Sequence, residues 1–225
     1  MTRSALVTGA SSGIGAAIVE MLLSQGWQVT GLSRSRIPRS HPNFVSISVD
    51  LFDTEALNRV LAGLETPRAI VHAAGMMKAA TLGELDAESS RQLWQLHILV
   101  AEILANTFAP LMTEQGRIVL LGSRTSRGAA GRSQYVATKS AMVGMVRSWA
   151  AELAPRGITA NIVAPGATET PMLSGPGRAS SPPKRPPIGR FIQPQEVAEL
   201  VGYLLSPAAA AITGQELVIC GGASL

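Results

Sequence analysis

Short runs that are apolar at every residue alternate with stretches of helical period along almost the whole chain, and few folds accommodate that pattern. Ala5–Val7 reads as a buried strand, after which Ile14, Ala17, Ile18, Met21 and Leu22 recur at helical spacing until Gly26. Further strands are expected at Gln28–Leu32, Phe44–Val49, Ala69–His72, Arg117–Leu121, Ile158–Val163 and Glu216–Cys220. Helices are expected from the cap residue Asp86 to about Asn106, over Ser133–Leu153, and over Pro194–Leu205, where proline opens the first turn. A strand with one wet face would alternate apolar and polar residues. These do not, so both faces are covered, as in a parallel sheet with helices on either side. The expectation is a single-domain, doubly wound α/β fold of about seven strands over residues 1–225. Ser174–Pro187, rich in Pro, Ser and Gly, reads as a mobile surface loop.

With 46% hydrophobic and 15% charged residues, the chain can fill a core and is not a disordered one. Cys220 is the lone cysteine and cannot close a disulfide within the chain, which excludes a stapled secreted scaffold. The most apolar stretch, Leu96–Met112, is interrupted by His97, Glu102 and Asn106, so no membrane span is expected. Met1–Ser4 run straight into a strand with no signal-peptide core, and a cytoplasmic location is expected. No metal site is expected. The formal charge is +4, with sixteen of nineteen cations arginine. The local clusters Arg34, Arg36, Arg39 and Arg124, Arg127, Arg132 fall in expected loops, so the charge reads as scattered surface rather than a nucleic-acid face. A few arginines beside a phosphate-bearing cofactor would give the same balance.

Between the first strand and first helix stands Thr8-Gly9-Ala10-Ser11-Ser12-Gly13-Ile14-Gly15, a TGxxxGxG turn. Glycines there permit a tight turn and bring backbone N–H groups close to a pyrophosphate at the positive end of a helix. This turn, together with Tyr135-Val136-Ala137-Thr138-Lys139, resembles the short-chain dehydrogenase/reductase family. The resemblance continues in order through Asp50-Leu51, Ala74-Gly75, Ser123, Pro165-Gly166, Thr170, Met172, Gly189-Arg190-Phe191 and Thr213-Gly214-Gln215. It implies a Rossmann fold, a nicotinamide cofactor and interconversion of a carbonyl and an alcohol.

By that resemblance the end of the second strand, Leu32-Ser33-Arg34-Ser35, meets the adenosine ribose. A carboxylate there would accept from the 2′-hydroxyl of NAD. None is present, and Arg34 can make charge-assisted bonds to a 2′-phosphate, with Ser33 and Ser35 as further donors. NADP(H) is therefore expected, with NAD(H) possible. The implied cofactor set is Gly9, Ser11, Ser12, Gly13, Ile14, Gly15, Ser33, Arg34, Ser35, Asp50, Leu51, Ala73, Ala74, Gly75, Tyr135, Lys139, Pro165, Gly166, Thr168 and Thr170. Asp50 would bond the adenine amino group or else cap the following turn. Thr170 would meet the nicotinamide carboxamide, with Thr168 and Pro165-Gly166 shaping that side.

Tyr135 and Lys139 lie four apart and share one helix face. A free phenol titrates near 10; an ammonium ~4 Å away at an effective dielectric of ~20 contributes about 4 kcal/mol, roughly three pKa units, toward neutral pH. Tyr135 is expected as the acid/base, Lys139 as the charge that tunes it and holds the nicotinamide ribose, and Ser123 as the donor to the substrate oxygen. Two positions depart from the family. His97 stands where an asparagine usually holds a relay water, and His72 replaces another asparagine. His97 could hold that water or relay protons itself, making activity pH-sensitive near 6–7, or both histidines could be packing substitutions. The Ser123-to-Tyr135 segment is one residue shorter than expected, and Cys220 replaces a usual aspartate at a strand end, where it reads as structural.

The substrate is expected to be a small carbonyl or alcohol. Pro187-Ile188-Gly189-Arg190 and Thr213-Gly214-Gln215 suggest a 3-oxoacyl-[acyl-carrier-protein] reductase as the alternative, and a non-catalytic cofactor-sensing protein is a further one. The specificity loop would be Pro171–Pro187, whose Arg178, Lys184 and Arg185 are either solvated charges or contacts for an anionic substrate. Leu96, Leu99, Ile103, Met142, Met145 and Trp149 place apolar residues on more than one helix face, so a homodimer or homotetramer is expected.

Overall fold

A computed structural model describes residues 3–175 and 182–225. Seven strands form one parallel sheet: β1 (Ser4–Thr8), β2 (Gln28–Ser33), β3 (Phe44–Ser48), β4 (Ala69–His72), β5 (Arg117–Leu121), β6 (Thr159–Pro165) and β7 (Glu216–Ile219). Their order is β3-β2-β1-β4-β5-β6-β7, so the chain reverses its direction of travel across the sheet between β1 and β4. That reversal opens a crevice at the carboxyl ends of the strands.

The strands are apolar throughout because each face has its own core. Ala5, Val7, Val29, Val71, Val119 and Val163 point to one side and pack with α1 (Gly13–Ser24) and α6 (Pro194–Leu205). Leu6, Leu32, Ile70, Ile118, Leu120 and Ile162 point to the other, against α2 (Thr54–Ala62), α4 (Val100–Phe108) and α5 (Ser133–Leu153). Successive strand residues therefore go to opposite cores. Along α5 the inward stripe is Tyr135, Thr138, Lys139, Met142, Val146 and Ala150, so one helical face carries chemistry at its start and core packing at its end.

Two features depart from the expected elements. The segment after β3 holds α2, which the sequence reading passes over because only Leu57 and Leu61 are fully buried on it. Its local signal is Asp53, whose side chain accepts from the Ala56 N–H at 2.9 Å. The long helix expected after Asp86 is continuous but not uniform. α3 (Ala87–Trp94) passes through a π turn, Gln95–Leu99, into α4. Asp86 does cap it, accepting from the Glu88 and Ser89 N–H groups. Of the expected specificity loop, residues 176–181, including Arg178, lie outside the described residues. No helix among the described residues is long and apolar enough to cross a membrane.

Leu57 is fully buried beneath the sheet edge, so Leu57→Ala should leave a cavity and cost about 2–5 kcal/mol. The exposed Glu55→Ala change on the same helix should cost far less. Urea denaturation of the two variants measures the difference.

Candidate active site

The turn after β1 is shaped by close approaches that only glycine allows. A Cβ on Gly9, where φ is +67°, would lie 2.8 Å from the backbone of Ala74, and one on Gly15 would overlap the Gly9 carbonyl oxygen. The Ser12 side chain makes no cap bond, which leaves the N–H groups of the first turn of α1 uncapped. A cleft runs from this turn in two connected parts. Its outer part is lined by Gly9, Ser11, Ser12, Gly13, Ile14, Gly15, Ser33, Arg34, Asp50, Leu51, Ala73, Ala74, Gly75 and Thr170. Its inner part brings together Ser123, Tyr135, Lys139 and His97 with Pro165, Gly166 and Thr168. Ile14, Ala73, Ala74, Gly75 and Thr170 belong to both.

Among the expected cofactor residues, Ser35 does not line the cleft. Its carbonyl instead accepts from Ser33 Oγ at 2.7 Å, which turns the backbone so that Arg34 faces the outer part. Asp50 accepts from the Phe52 N–H at 3.0 Å, the turn-capping role, while also lining the cleft. Sequence reasoning misses Met76, Met77, Arg124 and Arg132 as lining residues. In the sequence the two arginines read as loop surface. In fact they are half-buried and flank Ser123 and Tyr135 in sequence.

Ser123 ends the loop after β5 in extended geometry. Its Oγ accepts from the Thr125 N–H at 3.2 Å and lies 2.9 Å from Thr125 Oγ1. Both bonds can be received from Thr125, leaving the Ser123 proton for a ligand. The turn itself is braced by Ser126 Oγ donating to Glu216 Oε1 at 2.7 Å. Lys139 Nζ donates to the Leu121 carbonyl at 2.8 Å and lies 5.7 Å from the centre of the Tyr135 ring. Burial pulls the Lys139 ammonium down to about 7, so its charge is costly and near balance at neutral pH.

Both histidines are fully buried, and every ring nitrogen is engaged. The Ala74 N–H donates to Thr8 Oγ1 at 3.1 Å, Thr8 Oγ1 donates to His72 Nδ1 at 2.8 Å, and His72 Nε2 donates to the Leu96 carbonyl at 2.9 Å. Carbonyls only accept, which assigns the proton to Nε2. His97 has the opposite tautomer. Its Nε2 accepts from the Met76 N–H at 3.1 Å, and Nδ1 donates to Thr138 Oγ1 at 2.9 Å, whose hydroxyl donates to the Tyr135 carbonyl. The His97 ring meets the Tyr135 ring edge-on at 5.6 Å.

This geometry differs from the expectation of a water-holding His97. No lone pair is left over, and the ring works as a brace between the loop after β4 and the first turn of α5. Of the two readings of His72 and His97, the engaged ring nitrogens support packing with satisfied hydrogen bonds over a proton relay. Burial, with Lys139 second, lowers His72 to about 3 and His97 well below the ordinary imidazole value. Cys220 is buried as expected, against Gly166, and its thiol meets Ser224 Oγ at 3.4 Å.

A family model described as enoyl-(acyl carrier protein) reductase matches residues 9–224. The chain is 32% identical over 235 residues to the 3-oxoacyl-[acyl-carrier-protein] reductase of Vibrio cholerae, covering 98% of this chain and 96% of that protein. It is 34% identical over 241 residues to carbonyl reductase family member 4 of Danio rerio, covering 100% and 99% respectively. A short chain dehydrogenase family protein from Francisella tularensis superposes with a TM-score of 0.91 at 27% identity, covering 100% of this chain and 99% of that one.

The neutral histidines set the acid stability of the fold. An unfolded imidazole takes a proton below about 6.5, whereas folded His72 refuses it down to about 3. The unfolded state therefore binds more protons in that window, and stability falls as pH falls, by up to about 1.4 kcal/mol per pH unit for each histidine. Lys139 acts in the same direction between about 7 and 10.5, where the folded chain releases a proton that the unfolded chain keeps. Urea midpoints should thus climb from pH 4 to pH 10. His72→Asn should flatten the acidic limb, and Lys139→Met the alkaline one.

Proposed function

The chain belongs to the short-chain dehydrogenase/reductase family, and from that premise we propose that it reduces a ketone or aldehyde to an alcohol with NADPH. The observation that carries this reading is the convergence of Ser123, Tyr135 and Lys139 at the inner end of a cleft whose outer end is a glycine cradle. The cradle fits a dinucleotide. The close backbone approach at Gly9 and the uncapped N–H groups of α1 suit a pyrophosphate, and Arg34 suits a 2′-phosphate. Asp50, Leu51, Ala73, Ala74 and Gly75 would flank the adenosine side, with Pro165, Gly166, Thr168 and Thr170 on the nicotinamide side.

A reduced nicotinamide held there by Lys139, Thr168 and Thr170 would supply the hydride that the carbonyl carbon accepts. Tyr135 donates its phenolic proton to the carbonyl oxygen, and Ser123 Oγ donates a hydrogen bond to the same oxygen. Lys139, anchored on the Leu121 carbonyl, favours the phenolate that remains, and its other N–H groups are free to hold a ribose. His97 fixes where Tyr135 sits through Thr138 and does not itself exchange the proton. In the oxidative direction each transfer reverses.

The second reading, a 3-oxoacyl thioester as substrate, is favoured by the likeness to the Vibrio cholerae enzyme. Faster turnover of simple ketones than of an acetoacetyl thioester would count against it. A cytoplasmic homo-oligomer belongs to the same proposal. Leu96 and Met142 serve the chain's own core rather than a partner, but Trp94, Leu99 and Leu111 are exposed along the α3–α4 side. Light scattering that gives a monomeric mass at micromolar concentration would remove the oligomer.

Tyr135→Phe removes the transferable proton and should lower kcat by roughly 10²–10⁴ with little change in NADPH binding. Turnover near wild type would defeat the mechanism. Arg34→Ala should weaken NADPH by about 1.5–3 kcal/mol, the scale of a charge-assisted hydrogen bond, and leave NADH nearly unaltered. Fluorescence titration of both cofactors measures this, and equal losses would overturn the preference.

A further inference from the structure

The inner cleft has a one-sided electrostatic character. Among the described residues that line it, Arg124, Arg132, Lys139 and Lys184 are cationic and none is a carboxylate. Lys139 is committed to the Leu121 carbonyl and to the reacting end. The other three surround the space where the rest of a substrate must lie. Arg124 directly follows Ser123, and its Nη1 donates to the Ala223 carbonyl at 3.1 Å, which holds the side chain without neutralising its charge. Arg132 immediately precedes α5, three residues before Tyr135. Its backbone is fixed by a bridge to Ala80, with the Ala80 N–H donating to the Gly131 carbonyl at 3.0 Å. Lys184 enters from the opposite loop.

Both arginines are half-buried rather than extended into solvent. Arg132 sits below the ordinary guanidinium value, first because of burial and then because of the Arg124 charge, while the Tyr135 phenol pulls the other way. The two guanidiniums thus repel each other at the cavity that also holds the acid/base. A carboxylate entering this cavity would meet two guanidiniums, and the planar fork of arginine matches it.

We propose that the substrate is a short oxo carboxylate, its carbonyl held by Ser123 and Tyr135 and its carboxylate by Arg132 and Arg124. This rests on the carbonyl-reductase reading and names the substrate class for it. Arg124 and Arg132 are then specificity-determining residues, and Lys184 adds long-range attraction. An incoming anion would also favour the Lys139 ammonium in the complex, offsetting part of the cost that burial puts on its charge.

The test compares matched pairs that differ only in charge: acetoacetate with methyl acetoacetate, and 4-oxopentanoate with its methyl ester. At low salt the wild-type kcat/KM should favour at least one carboxylate over its ester by about 10–100-fold, the worth of a charge-assisted hydrogen bond. That preference should shrink severalfold between about 20 and 200 mM salt. Arg132→Gln should lower the carboxylate-to-ester ratio at least tenfold, and Arg132→Lys should restore part of it. Esters reduced as well as their acids, or a ratio untouched by Arg132→Gln in a variant of normal circular dichroism, would overturn the proposal. A binding arm separates this from the reductase reading itself. Pentanoate, which cannot be reduced, should bind the wild type in the presence of NADP in a calorimeter and bind Arg132→Gln at least tenfold more weakly. Anion binding without turnover of any carbonyl would leave the anion site standing and sink the reductase reading. Turnover without anion binding would do the reverse.

Discussion

The chain of hydrogen bonds from Ala74 through Thr8 and His72 to Leu96 is the interaction on which the cleft depends. It ties the carboxyl ends of β1 and β4, the two strands between which the sheet changes direction, to the π turn at the start of the α4 side. Thr8 and His72 are register partners, so the bond between their side chains closes the floor of the crevice. The π turn supplies the Leu96 carbonyl as acceptor and places His97 one residue further on, where it reaches the Met76 N–H and Thr138. One local loosening of the helix therefore serves two buried imidazoles, and π turns are frequent at functional sites. A charged imidazole at either position would lose its acceptor nitrogen and leave a buried backbone or hydroxyl donor unmatched.

The same network explains which parts of the molecule can be read from sequence. Strand and helix positions follow from burial on two faces, and Ala5 to Val7 or Ile118 to Leu120 carry that signal unaided. The glycine turn is equally legible, since Gly9 and Gly15 answer steric demands that no other residue meets. α2 is not, because a helix at the sheet edge needs only Leu57 and Leu61 to dock and is otherwise polar. Nor is the task of His97. A histidine at an asparagine's position invites a proton-relay role, but the outcome depends on whether a ring nitrogen remains open. That is settled by Met76 and Thr138, which are 21 and 41 residues away along the chain.

The arginines show a different limit. Arg124 and Arg132 look like members of a loop cluster because charge in a loop is usually solvated. Their meaning comes from the turn that folds between them: Ser123 to Arg127 is pinned by Ser126 on Glu216, and Gly131 is pinned on Ala80. Pinning both ends of the segment brings two guanidiniums to the rim of the same cavity.

Charge is what couples the two ends of the cleft. At the outer end, a positive helix terminus and Arg34 suit a phosphate; at the inner end, Arg124, Arg132 and Lys184 gather around a lysine whose own charge burial makes expensive. Burial alone sets the cost of the Lys139 charge, and the half-buried Arg124 and Arg132 line the same cavity. A neutral substrate would leave that cost unrelieved. An anionic substrate would reduce it and, by favouring the Lys139 ammonium, would help ready Tyr135 for reaction as the substrate binds. Selectivity and acid/base readiness would then rise together, because both draw on the same local field.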